Sequence, residues 1–251
     1  MPIQRIRKLT GRERSRESNW RLACFLALIA GATDVGGYFA VKQYTSHMSG
    51  IVSAMSDNSA SSKGALVAAG FAALLSFLAG ASCTAILVNW GKRRLLQSAY
   101  ALPLLLEAGL LTIFGLGGSH LEAQRWLFIS MAAILLCFTM GLQNAIITKI
   151  SDAEIRTTHV TGIVTDIGIE FGKLLYWNGS DCPSELMVRA DRQKLGLLIS
   201  LLVLFFCGGI LGALGFQHVG FIFTLPLAAI LAVLAAVPVL DDLRISLRLE
   251  S

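Results

Sequence analysis

Six apolar stretches, each about as long as a bilayer is thick, constrain this chain more than anything else in it, because a run of about 20 apolar residues has no stable place in water. They lie near 20–42, 64–89, 100–118, 126–149, 195–216 and 219–240. In hydrocarbon every backbone N–H and C=O must find a partner within its own segment, so each stretch reads as a helix. Only 15% of the 251 residues are charged and 55% are hydrophobic, against about a quarter charged in a soluble domain. The expected fold class is therefore all-α, a polytopic membrane protein of about six transmembrane helices.

Basic residues orient the spans, since Lys and Arg stay on the cytoplasmic side of short loops. Arg5, Arg7, Lys8, Arg12, Arg14, Arg16 and Arg21 precede the first span; Lys92, Arg93 and Arg94 follow the second. Lys149, Arg156, Lys173, Arg189, Arg192 and Lys194 lie between the fourth and fifth, and Arg244 and Arg248 are in the tail. The other side receives Lys42, Lys63 and Arg125. Six crossings with both termini cytoplasmic account for the net charge of +5 without nucleic acid, and the expected place is a bacterial inner membrane. A cleavable signal peptide ending near Ala30-Gly31-Ala32 is the alternative for the first span. The repeat described next argues against it. Cys24, Cys83, Cys137 and Cys207 fall in spans without ligand spacing, and Cys182 falls on a loop expected to be cytoplasmic. No disulfide, zinc or other cofactor is expected. On the same loop, Asn178-Gly179-Ser180 reads as a turn instead of a glycosylation site.

The chain also repeats itself. Thr45-Ser46-His47-Met48-Ser49-Gly50-Ile51-Val52-Ser53 returns as Thr157-Thr158-His159-Val160-Thr161-Gly162-Ile163-Val164-Thr165. Gly31-Ala32-Thr33-Asp34 precedes the first copy as Gly141-Leu142-Gln143-Asn144 precedes the second; Leu102-Pro103-Leu104 matches Leu225-Pro226-Leu227, and Phe77 with Gly80 matches Phe206 with Gly209. Each half reads as span, short polar segment, span, span. An odd number of crossings per half gives the halves opposite orientation, as two inverted three-helix repeats. The expected layout is a basic tail at 1–19, a first repeat at 20–118, a second at 126–240 with a cytoplasmic loop at 176–194, and a cytoplasmic tail at 241–251.

The stretch from Gly31 to Met55, and above all Met140 to Asn144 continuing through Arg156 to Gly168, resembles the YoaK-like family of bacterial integral membrane proteins. The likeness covers the chain after about residue 18. The first block departs from the family pattern, with Ser49-Gly50-Ile51 where the family usually has Thr-Gly-Asn. The resemblance implies an inner-membrane protein of six or so helices and carries no chemistry with it.

The chemistry must come from the residues. Segments Ser46 to Ser56 and Thr158 to Phe171 are too short to cross, and are expected as re-entrant or interfacial helices. A Thr/Ser pair is expected to cap each, with Gly50 and Gly162 admitting another backbone. Two such N-termini aimed inward would present N–H groups and partial positive charge to an anion or a carboxylate-bearing solute. His47 and His159 are candidate buried imidazoles for proton relay or solute binding, with packing as the alternative. Asp34, among Gly31, Gly36 and Gly37 where the span is expected to break, needs a proton, a partner or water, and Gln143 and Asn144 are its neutral counterparts. Ser49 and Thr161 complete the candidate substrate-binding set. Asp166 and Glu170, one turn apart, either line a vestibule or are solvated beside Arg156 and Lys173. Glu107 is a candidate proton site, unless it reaches the cytoplasmic interface. Pro103 and Pro226 are expected to kink matched helices, and Gly208-Gly209-Ile210-Leu211-Gly212 to allow close packing.

These features favour a transporter or channel for a small solute, an anion among the candidates, with its polar site between the repeats. A scaffold or accessory subunit docking through loop 176–194 is the alternative. An intramembrane enzyme is less favoured, since no H-E-x-x-H or nucleophile elbow is present. The partners expected are the bilayer and a small-molecule solute, with a homo-oligomer left open and nucleic acid excluded.

Overall fold

The computed structural model describes residues 10–11, 15–118, 125–151, 158–178, 183 and 185–249. The expectations placed on Arg5, Arg7, Lys8, Arg12, Arg14, Arg156, Thr157, Gly179, Ser180 and Cys182 lie outside them. Among the described residues the elements are α1 (Arg16–Val41), α2 (Met48–Ala60), α3 (Gly64–Arg93), α4 (Ala101–Gly118), α5 (Arg125–Ile150), α6 (Val160–Leu175), α7 (Arg192–His218), a 3-10 turn (Gly220–Phe223) and α8 (Thr224–Leu249). Six of these elements supply helices long and apolar enough to cross a membrane, and α2 and α6 are the two short helices of the repeated motif. The fold is all-helical as the sequence implied.

Cross-helix contacts fix the directions. Ser76 Oγ donates to the Ile134 carbonyl at 2.6 Å and Thr84 Oγ1 to the Leu142 carbonyl at 2.9 Å, so α3 and α5 run parallel. On α1, Leu28 meets Gly208 and Gly36 meets Phe216, so α1 and α7 also run parallel. Gly37 lies against Leu136, while Asn19 Nδ2 donates to the Ile150 carbonyl at 3.0 Å, so α1 is antiparallel to α5. Asp242 bonds the N–H groups of Gln97 and Ser98, whereas Thr224 Oγ1 bonds the Leu111 carbonyl, so α4 and α8 are antiparallel. Helices α1 and α7 thus point one way and α3 and α5 the other, while α4 and α8 oppose each other.

Glycines set the two main crossings. A methyl group on Gly31 would overlap the Phe205 carbonyl, and one on Gly208 would overlap the Leu28 carbonyl. In the other crossing Gly141 meets the Phe77 carbonyl and Gly80 meets the Phe138 carbonyl. Replace Leu28 and Gly31 by Phe138 and Gly141, and Phe205 and Gly208 by Phe77 and Gly80, and one crossing becomes the other. The match expected for Phe77 and Gly80 therefore falls on Phe205 and Gly208, one residue earlier than Phe206 and Gly209. Without a side chain at these positions two backbones approach to contact, which is how helices gain dispersion energy in lipid.

Two further expectations are corrected. The glycines do not break the first span: α1 is continuous from Arg16 to Val41, because Gly31, Gly36 and Gly37 are used to admit Phe205, Phe216 and Leu136. Pro103 and Pro226 do not kink their helices either. Each stands in the first turn, of α4 and α8 respectively, where the missing N–H would have no intrahelical acceptor. The proline inside a helix is Pro238 of α8.

Candidate functional site

After α1 ends at Val41 the chain turns back along it. Lys42 closes the helix in the left-handed conformation, φ 56°, with its N–H on the Tyr38 carbonyl. The Ser46 N–H then donates to Asp34 Oδ1 at 2.9 Å, and Thr45 Oγ1 reaches the same oxygen at 3.4 Å. Asp34 is seven residues before Val41, so the connection descends about 10 Å along α1 before α2 begins. The buried Asp34 carboxyl is thus partnered, and it holds the motif at depth.

Each short helix starts on a histidine. The caps were expected from the Thr/Ser pairs, but His47 and His159 are the N-cap residues, with nearly equal backbone angles (φ −93°, ψ 71° and φ −87°, ψ 61°) and no side-chain capping bond. Thr45 is unavailable as a cap because its hydroxyl is turned to Asp34. The first intrahelical bonds run from Ile51 to His47 and from Ile163 to His159. The N–H groups of Ser49, Gly50, Thr161 and Gly162 consequently have no acceptor within their helices. The glycines also differ from expectation: Gly50 and Gly162 admit no second backbone, but accommodate the imidazoles of His47 and His159, whose Nδ1 edges fold over them. Neither imidazole is buried as the sequence suggested; both are exposed.

The two motifs meet in one cavity of about 680 Å³. Asp34 and Asn144, Ser46 and Thr158, His47 and His159, Met48 and Val160, Ser49 and Thr161, and Phe77 and Phe205 line it, together with Val35 and Tyr44. Apart from the last two, the lining consists of matched pairs from the two halves of the chain. Phe77 and Phe205 stand about half-way along α3 and α7, which puts the cavity near mid-depth of the spanning helices. A second cavity of about 310 Å³ shares Tyr44 and His47 with it and extends past Lys42 and Gln43 at the end of α1.

Residues 22–237 match the family model described as a protein of unknown function, DUF1275. The chain belongs to the DUF1275 family. It is also similar to the UPF0700 transmembrane protein YoaK of Bacillus subtilis (strain 168), at 26% identity over 147 residues, or 58% of this chain and 64% of that relative. The chain thus spans less than two thirds of the relative's length. No solved structure matches.

In this DUF1275 member, polar atoms beside the cavity are left without partners. The side chains of Thr33 and Gln143, in matched positions one residue before Asp34 and Asn144, are buried, and Thr33 Oγ1, both polar atoms of Gln143 and Asn144 Oδ1 have no hydrogen-bond partner. Gln143 itself does not line the cavity. Nor do Asp166, Glu170 and Glu107, which the structure places elsewhere. Asp166 pairs with Lys194 at 3.6 Å; the buried Glu170 accepts from Lys173 Nζ at 2.7 Å and from the Asp191 N–H at 2.8 Å. The Lys173 ammonium, then the Asp191 N–H, hold the Glu170 carboxyl below its ordinary range. Asp191 is likewise held low, first by the Lys194 N–H, as it caps α7. These carboxylates pin α6 to α7 across a long connection. Between α2 and α3 a tight turn does the same work, with Lys63 N–H on the Asn58 carbonyl, so no carboxylate is needed there. Asn178 closes the long loop by bonding both the N–H and the carbonyl of Val188.

Sequence reasoning missed Tyr44, Phe77 and Phe205 as lining residues. Phe77 had been matched as a repeat landmark, and its place facing a polar motif was the available signal. Among the described residues no group of three or more His, Cys, Asp or Glu side chains is placed to hold a metal ion.

Proposed function

We propose that this chain is an inner-membrane transporter for a small polar solute, built as two inverted repeats with both termini cytoplasmic. The cavity lined by matched pairs carries the reading, because a multi-span protein gains nothing in stability from exposing two imidazoles, four Ser and Thr residues and an aspartate at mid-depth. Discontinuous helices whose N-termini face a common space are how transporter folds hold anionic groups. The N–H groups of Ser49 and Thr161, which have no acceptor within their helices and stand at the cavity, suit a carboxylate or a comparable small anion. Ser46, Ser49, Thr158, Thr161 and Asn144 would orient it.

Alternating access follows from the layout. One repeat rocks against the other about the Gly31–Phe205 and Gly141–Phe77 contacts, and Asp34 or a histidine changes protonation as the cavity switches sides. The smaller cavity past Lys42 is an approach from the face on which α1 ends, with His47 standing between the two spaces. No chemistry beyond binding and proton exchange is required, so we read the protein as non-enzymatic.

The scaffold reading draws on a different observation, the exposed Leu175, Trp177 and Leu186 at 86%, 87% and 71%, although Trp also suits the bilayer interface. The two separate by experiment. Purified protein reconstituted in vesicles is screened for uptake of radiolabelled carboxylates and inorganic anions, beside His47→Ala and His159→Ala. Flux that both substitutions abolish, with expression intact, supports transport. Absence of flux for every solute, with Trp177→Ala and Leu186→Ala, and not the histidine substitutions, changing the protein's co-purifying partners, supports the scaffold.

A further inference from the structure

Away from the cavity, α4 carries a carboxyl that the proposed transport site does not use. Glu107 is 1% exposed, and its Oε2 has no hydrogen-bond partner. The sequence left reach to the cytoplasmic interface as the alternative, but the side chain is enclosed by protein instead of extending out of the fold. Leu104 and Leu111, about one turn to either side, are fully buried, and α4 lies against α8, whose Leu227, Leu231 and Leu234 belong to the same apolar cluster.

Among the described residues, the charged positions of every neighbouring element are remote from it along the chain. The elements packed on α4 are α3, α5, the 3-10 turn and α8. Of their charged positions, Lys92 and Arg93 on α3 and Arg125 and Lys149 on α5 fall in terminal turns, and Asp241, Asp242, Arg244 and Arg248 lie in the last nine residues of α8; between these ends the titratable residues are Cys83 and Cys137. The 3-10 turn has no titratable residue. Asp242 is committed to the N–H groups of Gln97 and Ser98, at 2.9 and 2.8 Å. Glu107 lies nine residues beyond Ser98, about 14 Å farther along the helix. An ionised carboxylate in such a place, with no hydrogen bond or ion pair to it among the described residues, costs far more than a neutral carboxyl, and buried acids respond by keeping their proton.

We propose that Glu107 is a proton-binding site in the membrane interior, separate from the solute cavity and carrying its proton in the state described. An apolar residue at this position would pack as well, so the acid is explained by exchange of that proton when α4 and α8 shift. Taken with the transport reading, on which this one step rests, Glu107 is where a coupling proton would reside.

The test reads the carboxyl directly and needs no transported solute. Infrared difference spectra of the full chain in lipid vesicles are compared with those of Glu107→Gln, which mimics the neutral acid in shape. The expected result is loss of one un-ionised carboxylic C=O stretch in the variant, and a downshift of that band in the native protein in D2O. Should Glu107→Gln fail to fold, Glu107→Asp serves, with the band moved instead of lost. Loss of a carboxylate band in place of the acid band overturns the proposal. So does an acid band that never shifts in D2O, which would mark a sealed packing group. Both outcomes are independent of whether any solute is transported.

Discussion

Adding one methyl group at Gly80 or Gly208 should separate helices that now touch backbone to backbone. In each case the new Cβ would coincide with a carbonyl of the facing helix, Phe138 in one crossing and Leu28 in the other. A backbone cannot swing aside as a side chain can, so the upper part of the usual range for overpacking applies, about 3 kcal/mol. Alanine is the better helix former by about 1 kcal/mol, which offsets part of this. The net loss is about 2 kcal/mol for each substitution, a fall in Tm of about 4–8 °C for a chain of this size. Gly168→Ala is the control. It adds the same methyl to a helix glycine facing open space and should raise Tm by about 2–4 °C through the propensity gain alone. Thermal unfolding of the detergent-solubilised protein, followed by fluorescence of its 4 Trp residues, measures all three. The crossings described above are wrong if Gly80→Ala and Gly208→Ala behave like Gly168→Ala, or if one is costly and the other is not.

Asp34 separates anchoring from charge. Asp34→Asn keeps an oxygen for the Ser46 N–H and should leave Tm nearly unchanged, whereas Asp34→Ala strands that donor at a cost of about 1–3 kcal/mol, measured by the same unfolding assay. Gly162→Ala would displace the His159 ring; because a ring can rotate away, stability should change little while solute flux in vesicles falls, and equal flux would remove His159 from the site. The Glu170 carboxyl, held low by Lys173 and the Asp191 N–H, contributes stability that is fully present above the ordinary glutamate value of about 4.3 and is lost as pH falls below it, through its own lowered value. Pepsin cleavage of the loop between α6 and α7 should therefore accelerate only below that ordinary value, and Lys173→Met should flatten the dependence.

The spans were legible because length and apolarity are one-dimensional signals that a bilayer reads directly. The duplicated motif was legible for a related reason: polar residues are costly in such a chain, so two copies of the same nine-residue pattern mark a shared use. Asp34, His47, Ser49, Asn144, His159 and Thr161 do line one cavity. Register was not legible. Phe205-Phe206 and Gly208-Gly209 are adjacent identical pairs, and only the face that packs on α1 decides which member matches Phe77 and Gly80. Capping was misread since a threonine can serve a helix end or a neighbouring carboxylate, and the choice depends on Asp34 eleven residues earlier. For Asp166 and Glu170 helical spacing left a vestibule and solvation beside Arg156 and Lys173 both open; Lys173 does pair with Glu170, and the further partners Asp191 and Lys194 come from the start of α7, beyond a loop whose path the sequence does not encode locally.

The central claim is that His47 and His159, 112 residues apart in the chain, face one water-filled space. Single cysteines at positions 47 and 159, in a background lacking the 5 native cysteines, are to be exposed in vesicles to a membrane-impermeant thiol reagent with and without a panel of small anions. Reaction at both positions, with a bulky adduct at one slowing reaction at a cysteine placed at the other and a shared solute protecting both, is the expected result. Two positions that react independently, or neither reacting from either side of the membrane, would contradict a common site.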